Sequence, residues 1–174
     1  MEYWEKRQLE LLHKSVAEAQ KELAIIYSGA YRDIYARLVD LYEKICVDDA
    51  PLVSRLYQYN RYYNLMNSLL DITRELGFKE EDLLTNSLTK LYEDNQRILQ
   101  KAFPMTSHID EETIDRLIHE DWVGDGMNYS DRVWKNKTEM AIRAKNIVMR
   151  SIANGDSPTK FIRELEPYMN KEGL

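Results

Sequence analysis

Apolar residues recur at positions 9, 12, 16, 19, 23, 26, 30, 34, 38, 41 and 45. Steps of three and four place them on one stripe of a helix, which predicts a single long helix from about Tyr3 to Val47. At ~1.5 Å per residue, such a helix would extend roughly 65 Å, so an elongated all-α bundle or hairpin is expected. Its early steps alternate three and four, as in a coiled coil. From Leu23 onward fours dominate, so strict heptad pairing does not run throughout. Gly29 is expected to mark a bend. Tyr27, Tyr31 and Tyr35 are spaced by four and share a face. That face suits core packing, the favoured reading, or docking of a protein partner, since tyrosine is common at interfaces.

Asp48-Asp49-Ala50-Pro51 should break this helix, with Pro51 opening a second that runs to Leu76 and stops at Gly77. Within it, Arg55-Leu-Tyr-Gln-Tyr-Asn-Arg61-Tyr-Tyr interleaves cations with aromatics, a mixture that can stack single-stranded nucleic acid. Leu56, Tyr59, Tyr63, Met66 and Leu70 nevertheless fall at helical spacing, which favours a core stripe. A third helix is predicted over 80–102, carrying Leu84, Leu88, Leu91, Asn95, Ile98 and Ala102, with Asn95 able to fix register if buried. A short fourth helix follows, with Asp110 as N-cap and Ile109 and Ile114 placed as a hydrophobic staple. A fifth is predicted over 131–153, closed by Asn154-Gly155. A sixth opens at Ser157-Pro158 and ends at Pro167. The whole reads as one helical domain, 1–174. Residues 1–103 form a long-helix hairpin or bundle, and 104–174 supply short helices around one loop.

That loop is where the helical period stops. Residues 121–135 read Asp-Trp-Val-Gly-Asp-Gly-Met-Asn-Tyr-Ser-Asp-Arg-Val-Trp-Lys. Gly124 and Gly126 bracket Asp125 and specify a turn. Ser130 is expected to cap the next helix by accepting from Arg132 or Val133, with Tyr129 and Trp134 as its staple. Trp122 and Trp134 are two of only 3 tryptophans in the chain.

Composition narrows the function. The 174 residues include 4 Pro and 6 Gly, a balance that favours helix. The formal charge of −6 argues against coating nucleic acid by net charge alone. Charge is uneven, however. Residues 132–163 hold eight basic and two acidic side chains, net +6, leaving −12 for the rest. Arg132, Lys135, Arg143 and Arg150 share one face of the fifth helix, with Glu139 among them. This is a solvated face or a docking strip for DNA or an acidic protein. Cys46 is the only cysteine, which excludes an intrachain disulfide and a cysteine-based zinc site. No apolar run approaches the ~18 residues of a membrane span, so no membrane partner is expected.

Catalytic patterns are weak. Glu10-Leu-Leu-His13 has Glu-x-x-His spacing, but a di-metal bundle needs a second copy and further carboxylates. Asp115 and His119 are four apart and could share a face, without a matching partner motif. No His-Glu-x-x-His, phosphate-binding glycine motif or nucleophile elbow occurs. We expect no enzyme, no cofactor and no metal site.

Trp122-Val-Gly-Asp-Gly-Met-Asn-Tyr-Ser-Asp-Arg-Val-Trp-Lys-Asn136, then a helix, Gly155-Asp-Ser-Pro158 and another short helix, resembles the phage minor head proteins. These are the head morphogenesis proteins related to the F protein of phage Mu. Tyr3-Trp4-Glu-Lys-Arg7 and the long first helix are similar to the start of such proteins. Residues 50–105 match only in helical character. The resemblance implies a virion structural protein that associates with the portal protein and capsid proteins in head assembly and DNA packaging or delivery. It would act in the phage head and, during assembly, in the host cytoplasm, with a homo-oligomer and contact with DNA both compatible. The matching residues are Trp122, Gly124, Asp125, Gly126, Ser130, Asp131, Arg132, Trp134 and Asn136, read as fold-locking first and contact-making second. Family members usually continue beyond the Gly-Ser-Pro turn, whereas this chain stops at Leu174, so whatever that further region does is expected to be missing. The alternative function is a DNA-binding module using the basic face of 132–163.

Overall fold

A single helix, α1, runs Tyr3–Ile45, 43 residues without interruption. The computed structural model describes residues 3–47, 50–51, 53–57, 60–104 and 108–171. A two-residue antiparallel ladder pairs β1 (Cys46–Val47) with β2 (Ala50–Pro51). α2 (Val53–Tyr57), α3 (Arg61–Ala102), α4 (Glu111–Ile118), α5 (Tyr129–Asn154) and α6 (Pro158–Lys171) follow. The protein is all-α with a long N-terminal helix, as the periodicity predicts. Gly29, expected at a bend, lies inside α1, whose helical pattern continues through it.

Several boundaries differ from expectation, each for a local reason. Pro51 lies in the ladder and does not open a helix. The predicted second helix is cut at Asn60, whose φ of 55° is left-handed, a region asparagine tolerates better than most residues. Arg61 bridges the cut: its guanidinium donates to the Lys44 carbonyl at 3.0 Å and the Arg55 carbonyl at 3.2 Å. Arg55 donates to the Cys46 carbonyl at 3.5 Å. The two arginines of the basic-aromatic run therefore satisfy carbonyls left open near the ends of α1 and α2, the orphans of any helix terminus.

Gly77 stops nothing, because α3 passes through it and joins the predicted second and third helices. The buried stripe of α3 is also displaced from the expected one. Leu65, Leu69, Thr73 and Leu76 are inside, while Tyr63 and Leu70 face solvent. Leu56 is buried as expected. Asp48, Asp49 and Tyr59 lie outside the described residues. Pro167 sits exposed within α6 and does not end it. It removes one helical hydrogen bond on the solvent side, while Phe161, Ile162 and Leu165 anchor the preceding turns in the core.

The chain divides into two compact units. One comprises 1–23 and 79–133, the other 24–78 and 134–174. In the first, Leu23, Ile114, Ile118 and Val133 are buried, with Glu80 and Gln96 among them. In the second the core is larger. Ile34, Leu38 and Ile45 of α1 lie in it, as do Leu76, Met140 and Phe161, each 2% exposed or less. The Gly155 closure of α5 forms as predicted. Asp156 N–H donates to the Ser151 carbonyl at 2.8 Å and Gly155 N–H to that of Ile152 at 3.2 Å, with Gly155 at φ +71°. This is the Schellman pattern.

Candidate functional site: the turn between α4 and α5

α4 is capped as its sequence predicts: Asp110 accepts from the Thr113 N–H at 2.8 Å. Hydrogen bonding from the Thr113 side chain, and then from its N–H, holds the Asp110 carboxyl below its usual range. At its other end, His119 Nδ1 lies 2.8 Å from the Asp115 carbonyl, and the Trp122 indole donates to the Leu117 carbonyl at 2.9 Å. Trp122 thus closes α4 and stands at the entrance of the turn.

Asp121 organises that turn, a role the sequence reading missed. One carboxylate oxygen accepts from the N–H groups of Val123 at 3.1 Å and Gly124 at 2.8 Å; the other accepts from Gly126 at 2.6 Å. The Gly126 bond, followed by those from Gly124 and Val123, lowers the Asp121 pKa. A carboxylate that collects several backbone donors is held in its charged form. The geometry needs left-handed backbone at Gly124 (φ +79°) and Gly126 (φ +83°), and an added Cβ there would meet strain in the backbone itself. The signal was legible: an aspartate with glycines three and five residues later.

Asp125 accepts from the Met127 N–H at 3.2 Å and from the Arg132 guanidinium at 2.7 Å. The N-cap of α5 is Asn128 and not Ser130. Asn128 Oδ1 accepts from the Asp131 N–H, and Asp131 Oδ2 accepts from the Asn128 N–H, both at 3.0 Å. This reciprocal pair has capping-box spacing, so α5 begins two residues earlier than expected. Tyr129 is then the first helical residue and not a staple partner of Trp134. Ser130 Oγ instead donates to a Glu81 carboxylate oxygen. The Tyr129 hydroxyl meets Thr85 Oγ1 and, at 3.2 Å, His119 Nε2, while burial pushes its phenol pKa up. Both ring nitrogens of His119 are thereby engaged. Glu81 and Thr85, from α3, were invisible to local motif reading because they arrive from more than 40 positions away.

The remaining predicted residues lie elsewhere. Trp134 packs on Gly77 and edge-on to Phe78, with ring centroids 4.9 Å apart. Asn136 is half-buried on α5. Tyr27 is buried, whereas Tyr31 is half-buried and Tyr35 exposed, so the tyrosines do not form one uniform face. Burial, then the charge of Glu166, raises the Tyr31 pKa. On the basic strip, Arg132 faces Asp125, Arg143 lies 3.8 Å from Glu139, and Arg150 donates to Glu164. Lys135 is exposed. Charge is nonetheless segregated: the first unit holds 10 basic and 18 acidic residues, net −8, and the second 14 and 12, net +2.

Among the described residues, each unit carries a groove with a largely apolar lining. In the first unit, Trp122 joins Leu12, Leu88, Leu91 and Asn95 around a groove of about 510 Å³. The side-chain amide oxygen of Asn95, Oδ1, is shut off from solvent there without a hydrogen-bond partner among the described residues. The second unit holds an apolar trough of about 550 Å³ between α3 and α5. Among the described residues no group of three or more His, Cys, Asp or Glu is placed to hold a metal ion, and no helix is long and apolar enough to cross a membrane.

Compared with protein-family models, curated proteins and solved structures, the chain matches none of them.

Proposed function

We propose that the chain is a structural component of a phage head, a minor capsid protein that docks on the portal vertex during head assembly and DNA packaging or delivery. One feature supports this beside the resemblance. The run from Trp122 to Asn136 contains a turn whose polar groups bond largely to one another, leaving Trp122 and Val123 54% and 71% exposed. An apolar tip held by so many internal bonds suits a protein partner, because little ordering entropy is then lost on docking.

The DNA-binding alternative rests on the basic strip. Two of its four cations, Arg132 and Arg150, are already held close against carboxylates, which favours the protein-docking reading. The test is co-elution with the portal protein of the same phage, by size exclusion with light scattering, at low and moderate salt. A complex stable at both salts is expected. Failure to form one, together with DNA affinity that falls steeply with salt and is lost on reversing Arg143 and Arg150 to Glu, would transfer the assignment to DNA.

A further inference from the structure

The trough of the second unit is lined by α3 from Tyr62 to Arg74 and by α5 from Trp134 to Lys145. Each stretch is about three turns, roughly 17 Å at 1.5 Å per residue. Leu69 and Trp134 lie on its lining, and its rim is apolar as well. Tyr63, Leu70 and Ile142 are 65%, 49% and 55% exposed. Large apolar side chains gathered in the open along one trough mark an interaction surface.

The charge on this surface is one-sided. Arg74, Lys137 and Lys145 line the trough, and no carboxylate does among the described residues, in a chain whose acids outnumber its bases 30 to 24. Lys137 points its ammonium at the Tyr27 hydroxyl, so Arg74 and Lys145 are the cations offered outward. Arg74 lies 3.7 Å from Asp71, but both are largely exposed, and such a pair holds its members weakly. Arg74 lies one turn before Gly77, where Trp134 packs, and Lys145 lies three turns beyond Trp134. The two cations therefore mark opposite ends of the trough.

We infer that this trough docks an amphipathic helix of a protein partner, about three turns long, with carboxylates flanking its apolar face. Two packed helices present a seam into which a third helix lays its apolar side chains at i, i+4 and i+7, and a cation at each end favours an occupant with carboxylates flanking that apolar face. The inference does not depend on the head-assembly reading, since it concerns residues of the second unit alone and is tested without a portal protein.

The probe is a 16-residue helical peptide with leucines at i, i+4, i+7 and i+11 and glutamates flanking them. Its counterpart carries lysines in place of the glutamates. Binding is followed on the full chain by calorimetry and methyl NMR. The acidic peptide is expected to bind and to shift the Ile142 and Leu70 methyl signals, with the lysine peptide at least about tenfold weaker. Ile142→Asp and Leu70→Asp, both at exposed positions, should each weaken the acidic peptide about tenfold. Leu12→Asp, in the other groove, should leave it unchanged. Reversing both cations (Arg74→Glu with Lys145→Glu) should invert the preference between the peptides. Equal binding of the two peptides, indifference to Ile142→Asp, or binding of anionic phosphatidylglycerol vesicles but of neither peptide would overturn the inference.

Discussion

Gly77 and Trp134 are in direct apposition: a β-carbon on Gly77 would lie 2.8 Å from Cζ3 of the indole and 3.2 Å from Cγ of Lys137. A glycine in the middle of a 42-residue helix is explained by this contact. The helix forgoes a side chain so that α5 can bring a tryptophan onto its backbone. Gly77→Ala should therefore destabilise the protein despite alanine's better helix propensity, by about 1–3 kcal/mol, as overpacking does. Denaturant unfolding followed by tryptophan fluorescence checks this. An unchanged or raised midpoint would show that the indole gives way freely.

Gly29 is the internal control. It too lies within a helix, but a β-carbon there meets nothing within 4 Å. Only the propensity term remains. Gly29→Ala should stabilise by about 0.5–1 kcal/mol. The opposite signs expected of the two glycine substitutions cannot both follow from helix propensity alone.

Asp121 predicts an acid transition in the turn. Its folded-state pKa lies below the ordinary 3.8, because the backbone donors of Gly126, Gly124 and Val123 favour the carboxylate. The contribution to turn order is thus complete above pH 3.8 and is lost as the pH falls through the depressed value. Amide exchange at Gly124 and Gly126 should accelerate over that range. Asp121→Asn, which offers one carbonyl oxygen in place of two carboxylate oxygens, should show fast exchange at every pH.

How much of this was legible follows the range of the interactions. The Asp110 cap and the Gly155 closure are local patterns that stand where the sequence places them, and the α1 stripe is largely buried from Leu23 to Ile45, whereas its first part, at Leu9, Leu12 and Val16, is exposed. Gly77 and Pro167 read as stops in the sequence, yet α3 and α6 run through them. A breaker ends a helix only when tertiary contacts do not hold it, and Trp134 and the Phe161 face hold these two. In the turn, the glycines were recognised but their organiser was not. Asp121 accepts from the backbone N–H groups of Gly124 and Gly126, so its only mark is an aspartate three and five residues ahead of the glycines, a spacing no cap or staple pattern covers. Ser130 was misassigned because its partner, Glu81, is 49 positions away.

Tyr42 should make stability fall in alkali. It is 4% exposed, its hydroxyl has no hydrogen-bond partner among the described residues, and its pKa is pushed up to about 12 from 10.0. Burial is the main cause, with the charges of Cys46 and Asp156 adding to it. The neutral phenol is therefore favoured in the folded state. Its contribution is complete below pH 10 and is lost as the pH rises through about 12, up to about 3 kcal/mol in all. Tyr42→Phe should be neutral or stabilising at pH 7, since it removes an unpaired buried hydroxyl. Above pH 10 it should lose less stability than the wild type. Parallel pH–stability curves for the two proteins would remove this account.

Lys137 is the cation that counting along the sequence most misrepresents. It contributes to the +6 of residues 132–163, yet it is 3% exposed, donates to the Tyr27 hydroxyl and sits 4.3 Å from the centroid of that ring. A buried ammonium is tolerated because hydrogen bonding and the ring face replace part of its lost hydration. The two side chains should behave as a coupled pair. Tyr27→Phe takes away the acceptor and leaves the charge inside, so it should cost about 1–3 kcal/mol. Lys137→Met should cost less than that, since it strands a neutral hydroxyl and not a charge. The double variant, with apolar groups of similar shape at both positions, should cost less than the sum of the singles. A double-mutant cycle by urea unfolding should give a coupling of about 1–2 kcal/mol. Strict additivity would mean that the ammonium is held by its other neighbours and that Tyr27 serves it only as a wall.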